Sequence, residues 1–212
     1  MSGKKTGERV FYSNFTGVIL AGGENRRYGG KLKTSIIIDG KTIIERTTGI
    51  FNQLFDSVVI VTNQPEYYAE YRGCTITSDI FRGAGPLGGL HAAMTAADTE
   101  VLMMVAGDMP YVSAALIDQL IGSWDELACD ALIPLHNGHM EPLFALYSVS
   151  LKERLEEFLT LGSSFAIRDF LKLVETEYFE IDITEYKRNP FANINSPDDL
   201  ARLTGEADEN GR

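Results

Sequence analysis

The sequence predicts an α/β fold built on a largely parallel β-sheet. Short apolar runs alternate along the 212 residues with longer amphipathic stretches, and this alternation is typical of parallel strands joined by crossover helices. Several apolar runs end in glycines or in an acidic residue, as expected where loops leave the ends of strands. We therefore expect one domain over residues 16–204, with a flexible extension over 1–15 and a flexible tail over 205–212.

The N-terminal half opens with a buried strand over 16–21, which is apolar, β-branched and stopped by glycines. An amphipathic helix over 42–55 places its apolar residues on one stripe. A glycine-rich turn over 81–89 follows a strand and leads into an alanine-rich helix. The remaining predicted elements are a short extended segment over 33–40, a core strand over 57–62, a helix or loop over 65–71, a brief strand over 74–79 and the alanine-rich helix over about 87–97.

The C-terminal half contains the most hydrophobic strand of the chain, over 100–108, with Asp108 at its carboxyl end. A helix over 113–123 follows, with Ser113 as its N-cap. The final helix begins after Ser196, where Pro197 and two aspartates form a pattern typical of a helix N-terminus. The other predicted elements are strands over 129–135, 142–147 and 176–183 and helices over 150–159 and 165–174.

Composition limits the functions open to the chain. Its net charge of −11 argues against a general nucleic-acid binder. No apolar stretch reaches the length of about 18 residues that a membrane span needs, and residues 1–15 lack the apolar core of a secretory signal. Cys74 and Cys129 lie far apart and match neither a disulfide framework nor a paired metal-binding spacing, so we expect a cytoplasmic protein.

A glycine-rich, basic loop follows the first strand. Its glycines let the backbone approach a phosphate chain, and its cations neutralise charge. The loop is not a Walker A loop, because the GK[ST] ending is absent, and it is not a GxGxxG fingerprint. In an acidic protein it predicts a small anionic ligand, and an ordinary glycine turn with a solvated basic stretch is the alternative. The residues concerned are Gly22, Gly23, Gly29 and Gly30, with Arg26, Arg27, Lys31 and Lys33.

Two aspartates end strands at the sheet edge where this loop is expected. In open parallel sheets, ligands bind beyond the carboxyl ends of the strands. Asp108 is a candidate Mg²⁺ ligand, since Mg²⁺ takes one or two protein carboxylates together with ligand phosphates and water. A helix cap or turn residue is the alternative role for Asp108. Asp79 could hold a ribose, a base or a metal-bound water.

Five stretches carry a more specific signal: LAGGENRRYGGKLK (20–33), GAGPLGGL (83–90), VAGDMP (105–110), EPLFALY (141–147) and FANINSPDDL (191–200). In this order they resemble the molybdenum cofactor guanylyltransferases, and the matches span residues 17–203, nearly the whole chain. The LAGG start is shared by many sugar-nucleotide transferases, so the last stretch narrows the choice. The resemblance implies a three-layer αβα sandwich with a mostly parallel, Rossmann-like sheet of the nucleotide-diphospho-sugar transferase type.

The resemblance also implies which residues bind the substrates. The first glycine stretch would contact the guanine nucleotide largely through its backbone, and the pair Asn193 and Asn195 matches positions linked to the pterin side. The implied nucleotide-binding residues are Leu20, Ala21, Gly22, Gly23, Lys33, Asn63, Asp79 and Asp108.

Three charged residues are the implied catalytic groups. Lys33 corresponds to the phosphate-binding lysine and Asp108 to the Mg²⁺ ligand, and Arg27 would supply further positive charge. The family usually has an acidic residue just before its lysine, whereas this chain has Leu32. Lys31 therefore stays the alternative to Lys33 as the phosphate-binding residue.

The implied reaction transfers GMP from GTP to the terminal phosphate of molybdopterin, with Mg²⁺ as cofactor, and releases pyrophosphate. GTP and molybdopterin, or its molybdenum-loaded form, would be the substrates, and cofactor-biosynthesis proteins are candidate partners. We expect neither nucleic acid nor a membrane as partner. Two alternatives remain: a related cytidylyl- or sugar-phosphate nucleotidyltransferase, and a noncatalytic nucleotide-binding regulator, which Leu32 alone favours.

Overall fold

A computed structural model describes residues 11–22, 32–162 and 164–204. Within these ranges strands alternate with helices for most of the chain. The strands are β1 Phe15–Leu20, β2 Ile37–Ile38, β3 Lys41–Thr42, β4 Ser57–Val61, β5 Thr75–Thr77, β6 Val101–Ala106, β7 Ala131–His136, β8 His139–Met140, β9 Phe144–Ser148 and β10 Thr176–Glu180. The α-helices are α1 Ile43–Leu54, α2 Pro86–Ala96, α3 Ala114–Trp124, α4 Lys152–Leu161, α5 Ile167–Leu171 and α6 Pro197–Thr204.

The main sheet has the strand order β10-β7-β9-β6-β1-β4-β5, and β8 pairs with β7. The central strand β1 is parallel to both of its neighbours, β4 and β6. Along this order of described strands, β9 alone runs antiparallel to its neighbours, β6 on one side and β7 on the other. The prediction of a mostly parallel α/β sheet is therefore confirmed.

Helices cover both faces of this sheet. Successive residues of β1 point to opposite faces, as the alternation of a strand requires: Ile19 packs with α1 and α3, and Val18 packs with α2, α4 and α5. Both side chains are completely buried. The three-layer αβα arrangement predicted from the sequence is confirmed. Because the helices cover the two faces of the sheet, the connecting loops lie at the ends of the strands.

The segment predicted as extended over 33–40 differs from the prediction. It begins with a short 3-10 turn, Lys33–Ser35, and continues into a two-stranded hairpin of β2 and β3 that is separate from the main sheet. The hairpin turns through Asp39 (φ 49°) and Gly40 (φ 79°), the left-handed pair typical of a tight two-residue turn.

Two C-terminal elements are shorter than predicted. The helix predicted over 165–174 spans only Ile167–Leu171, because the Ser164 hydroxyl accepts the Ala166 N–H ahead of it. The strand predicted over 176–183 ends at Glu180, because the Asp182 carboxylate accepts the Thr184 N–H and forms a turn.

The predicted helix N-caps and the two chain ends can be compared with the structure. Ser113 accepts the Leu116 N–H and Ser196 accepts the Asp199 N–H, so both predicted N-caps are confirmed. Within the expected N-terminal extension, Phe15 is buried in β1. Residues 1–10 of that extension and the tail 205–212 lie outside the described residues. Among the described helices, none is long and apolar enough to cross a membrane.

Candidate functional site

A cleft of about 960 Å³ opens at the carboxyl ends of the central strands. This is the edge at which open parallel sheets bind ligands, and the volume lies in the range of small-molecule sites. The sequence-predicted residues that line the cleft are Leu20, Ala21, Gly22, Lys33, Asn63, Asp79 and Asp108. The structure therefore brings together residues from four separate stretches of the chain.

One end of the cleft is formed by a lysine that joins three segments. Lys33 Nζ lies 2.9 Å from Asp108 Oδ2 and 2.7 Å from Asn195 Oδ1. The side chains of Lys33 and Asp108 are 20% and 22% exposed, so the ion pair is partly shielded yet reachable from the cleft. A cation, a carboxylate and an amide thus converge where phosphate oxygens or a metal ion could be held.

Local packing explains why Lys33 takes this place. Leu32, which stands where the resembling family carries an acidic residue, packs against the hydrophobic core and also lines the cleft. Lys33 begins the 3-10 turn that follows, and its side chain contacts Asp108. Lys31 lies outside the described residues. The structure therefore assigns Lys33 a position consistent with its predicted role.

Gly107 links the end of β6 to Asp108, and any larger residue at this position would force the neighbouring atoms to shift. The Gly107 N–H donates to the Leu20 carbonyl at 2.9 Å, and a Cβ at Gly107 would lie 2.9 Å from that same oxygen. The close approach locks the end of β6 to the end of β1. As a result, Asp108 is presented directly beside the first glycine stretch.

The asparagine pair lies on the segment that leads into α6. Ile194, between the two asparagines, is completely buried and donates its N–H to the Asp108 carbonyl at 3.0 Å. Asn195 contacts Lys33, and Asn193 is exposed. Asp199 accepts the Asn195 N–H, and its pKa is lowered by the Ser196 hydroxyl and the backbone groups that donate to it. The capped start of α6 therefore holds this segment against Asp108.

The other end of the cleft carries the second predicted pair. Asn63 Nδ2 donates to Asp79 Oδ2 at 2.9 Å, and Asn63 Oδ1 accepts the Asp79 N–H at 3.3 Å. These two contacts join the loops after β4 and β5. They hold the Asp79 carboxylate in a fixed orientation, where it can accept hydrogen bonds from a base edge or a ribose.

The backbone at the end of β1 is already partly used. The Leu20 carbonyl accepts the Gly107 N–H, and the Ala21 N–H donates to the Val61 carbonyl at 2.9 Å. The Leu20 carbonyl therefore keeps one lone pair for a further donor, and the Ala21 N–H is engaged with β4. Gly23, predicted to continue the stretch, and Arg27, predicted as a catalytic cation, lie outside the described residues.

The N-terminus of α2 also faces the cleft. Gly85, with φ 59°, precedes Pro86 at the first helical position, and both line the cleft. Among the described residues no side chain caps this helix start, and its first turn carries no acidic residue. Such a helix end offers a partial positive charge that favours phosphate groups.

Sequence reasoning missed a buried hydroxyl pair in the wall of the cleft. Thr34 Oγ1 and Tyr68 OH lie 2.7 Å apart, and both residues line the cleft. Burial raises the pKa of the Tyr68 hydroxyl, although the hydrogen bond with Thr34 works in the opposite direction. Neither residue carries a charge or a motif, so only the fold reveals the contact.

Comparisons with known proteins agree with this geometry. The family model of the MobA-like NTP transferase domain matches residues 17–177. A protein of Peptoclostridium acidaminophilum named "probable molybdenum cofactor guanylyltransferase" is 35% identical over 97% of this chain and 96% of its own length. A protein of Desulfosudis oleivorans named "molybdenum cofactor guanylyltransferase" is 32% identical over 88% of this chain and 93% of its own length.

A solved structure shows the same fold. The crystal structure of molybdopterin-guanine dinucleotide biosynthesis protein A from Archaeoglobus fulgidus superposes with a TM-score of 0.77 at 29% sequence identity. The match covers 91% of this chain and 98% of that one. The Rossmann-like, nucleotide-diphospho-sugar transferase type of fold is therefore confirmed.

Proposed function

The chain belongs to the MobA-like NTP transferase family, and we propose that it transfers GMP from GTP to the terminal phosphate of molybdopterin with release of pyrophosphate. The family assignment confirms the resemblance that the sequence motifs indicated. Relatives at 35% and 32% identity are named for this guanylyl transfer, and the chain spans nearly all of their length.

The observation that carries the proposal is the meeting of Lys33, Asp108 and Asn195 at one end of the cleft. Asn63 and Asp79 lie at its other end. We infer that guanosine binds toward Asn63 and Asp79, and that the triphosphate extends toward Lys33. The acceptor would then approach from the side of Asn195, so that both phosphates meet beside one cation.

Electrostatics explains why the cleft needs these groups. Two phosphate charges about 4 Å apart repel each other by roughly 4 kcal/mol at an effective dielectric constant near 20. In the proposed reaction an oxygen of the acceptor phosphate attacks the α-phosphorus of GTP, and the bond to the β-phosphate breaks. No enzyme nucleophile is needed, so the protein contributes positioning and charge neutralisation.

The donor set at Asp108 fits Mg²⁺. Among the described residues there is no group of three or more histidine, cysteine, aspartate or glutamate side chains that could form a protein cage for a metal. A single carboxylate matches the preference of Mg²⁺ for one or two protein ligands completed by phosphates and water. When bound, Mg²⁺ would stabilise charge on the α-phosphate and on the leaving pyrophosphate.

The chain's own residues would act as follows. Lys33 would donate to phosphate oxygens, and Asn195 would orient the lysine and the acceptor. The N-terminus of α2 would bind further phosphate charge, and Arg27 would add a second cation. We also infer a cytoplasmic location, because Cys74 and Cys129 are both free thiols, as expected in a reducing compartment.

The test uses the purified chain with molybdopterin and either GTP or CTP, with MgCl₂ or with a chelator. We expect molybdopterin guanine dinucleotide and equimolar pyrophosphate with GTP, little product with CTP, and no product without divalent cation. Preferred turnover of CTP would instead identify a cytidylyltransferase. GTP binding without product would identify a noncatalytic nucleotide-binding protein.

A further inference from the structure

A buried hydrogen bond adjoins the proposed phosphate-binding lysine. Thr34, the residue after Lys33, shares a 2.7 Å hydrogen bond with the hydroxyl of Tyr68. Thr34 is 5% exposed and Tyr68 is 1% exposed. Away from water such a bond is stronger than at the surface, and removing one partner leaves the other hydroxyl unpaired.

Thr34 is also fixed on its other side. A Cβ built on Gly107 would lie 2.8 Å from Thr34 Cγ2, so the threonine methyl fills the space beside that glycine. Lys33 directly precedes Thr34, and Asp108 directly follows Gly107. The methyl contact therefore sets the spacing between the two turns whose side chains meet at 2.9 Å.

Tyr68 connects this arrangement to the opposite end of the cleft. It is the last residue of the 3-10 helix Pro65–Tyr68, which follows the loop that carries Asn63. Tyr68 lines the wall of the cleft but is only 1% exposed, so little of its surface can contact a nucleotide. Burial raises the pKa of its hydroxyl, so the group stays protonated and available for the bond with Thr34 at neutral pH.

We propose that Tyr68 is a positioning residue that acts through Thr34 to hold Lys33 in register with Asp108. The inference rests on the proposed function, because it assumes that Lys33 binds the phosphates of GTP. Without the tyrosine hydroxyl the Lys33–Ser35 turn loses its buried anchor. The ammonium group then samples positions in which it contacts the triphosphate less often, and small misplacements of this kind lower rates strongly.

The test is a double-mutant cycle between Tyr68→Phe and Lys33→Ala, followed by calorimetric GTP binding with Mg²⁺ and by GMP transfer. Tyr68→Phe is expected to weaken GTP binding and lower kcat/KM by about tenfold when Lys33 is present. It is expected to change either value by less than about twofold in the Lys33→Ala background. If Tyr68→Phe only damaged the structure, it would reduce GTP affinity and kcat/KM by the same factor with and without Lys33. That result would overturn the inference.

Matched variants keep the result independent of folding. Thr34→Val breaks the same bond from its other side, keeps a methyl beside Gly107 and should reproduce the loss. Tyr71→Phe makes the same chemical change on a neighbouring ring 6.2 Å away and should leave GTP binding unchanged. If Tyr71→Phe and Tyr68→Phe weaken binding alike, the inference is wrong.

The binding measurement separates this inference from the proposed function. Wild-type protein that binds GTP but forms no dinucleotide would contradict the proposed transfer, and the cycle on GTP affinity would still decide the role of Tyr68. Wild-type protein that does not bind GTP would overturn both.

Discussion

Replacing Asp108 by Asn tests the charge at the centre of the proposed mechanism. The substitution keeps the shape of the side chain and removes its charge, so Lys33 loses an ion-pair partner at 2.9 Å. Both side chains are largely shielded (20% and 22% exposed), but asparagine still offers Lys33 a hydrogen-bond acceptor, so the lost charge should cost about 1–3 kcal/mol of folding free energy. For a protein of this size each kcal/mol corresponds to a drop in Tm of roughly 2–4 °C.

The effect on turnover should be much larger than the effect on stability. Loss of a preorganised group that stabilises developing charge typically costs about 10²–10³ in rate. Steady-state GMP transfer with Mg²⁺ measures this, and thermal unfolding measures stability in parallel. We expect Asp108→Asn to fold and to lose at least about 10² in kcat.

The control is a charged aspartate that does not line the cleft. Asp39, in the turn of the β2–β3 hairpin, lies 3.2 Å from Arg46 of α1 and 3.6 Å from Arg188, and asparagine tolerates its left-handed backbone. Asp39→Asn should therefore leave kcat within about twofold of the wild type. If Asp108→Asn kept wild-type turnover, or if both variants lost activity equally, the assigned role of Asp108 would be refuted.

Three further predictions concern neighbouring features. Lys33→Ala should raise the Kd for GTP by about tenfold or more and Lys31→Ala should not; calorimetry giving the opposite order would transfer the phosphate role to Lys31. Gly107→Ala should lower the free energy of unfolding by about 1–3 kcal/mol, because its methyl would lie 2.9 Å from the Leu20 carbonyl oxygen, whereas Gly122→Ala, with no atom within 4 Å, should not destabilise; equal Tm values would contradict this. Asp199→Asn should lower Tm at pH 7 and by less at pH 3: the pKa of Asp199 is lowered by the capping hydroxyl in the folded state, so its stabilisation is fully present above the unfolded pKa of about 3.9 and is lost as pH falls through the lower folded pKa. A Tm difference that stays constant with pH would count against it.

Most strands of the main sheet were predictable because they are runs of five or six residues separated by helical patterns. Hydrophobic periodicity did not reveal the small hairpins, since β2, β3 and β8 have only two residues each and a two-residue strand has no periodicity to detect. Their turns carry the chemical signal instead. Asp39-Gly40 and Asn137-Gly138 all have positive φ, which is the left-handed turn that such dipeptides favour. Turn chemistry read on its own would have indicated both hairpins.

The site was predictable to different degrees at different residues. Asp108 and Asp79 follow from the rule that ligands bind at the carboxyl ends of parallel strands. Asn195 was found only through the family resemblance, because the sequence places it 162 residues from Lys33. The contact of Thr34 with Tyr68 depends on packing between segments 34 residues apart. Neutral hydroxyl groups carry no pattern that would reveal such a pairing.

The ion pair of Lys33 with Asp108 changes the electrostatic argument that the sequence suggests. In the described part of the cleft the cation of Lys33 is balanced by Asp108, and Asp79 adds a negative charge. Among the described residues, the helix start at Pro86 is then the positive feature that would attract a triphosphate, and Arg27 and a divalent cation would add to it. A cation at Asp108 would compete with the lysine for the same carboxylate oxygen and leave the ammonium group available to phosphate. Metal and nucleotide should consequently strengthen each other's binding, and this coupling is reciprocal by thermodynamic necessity.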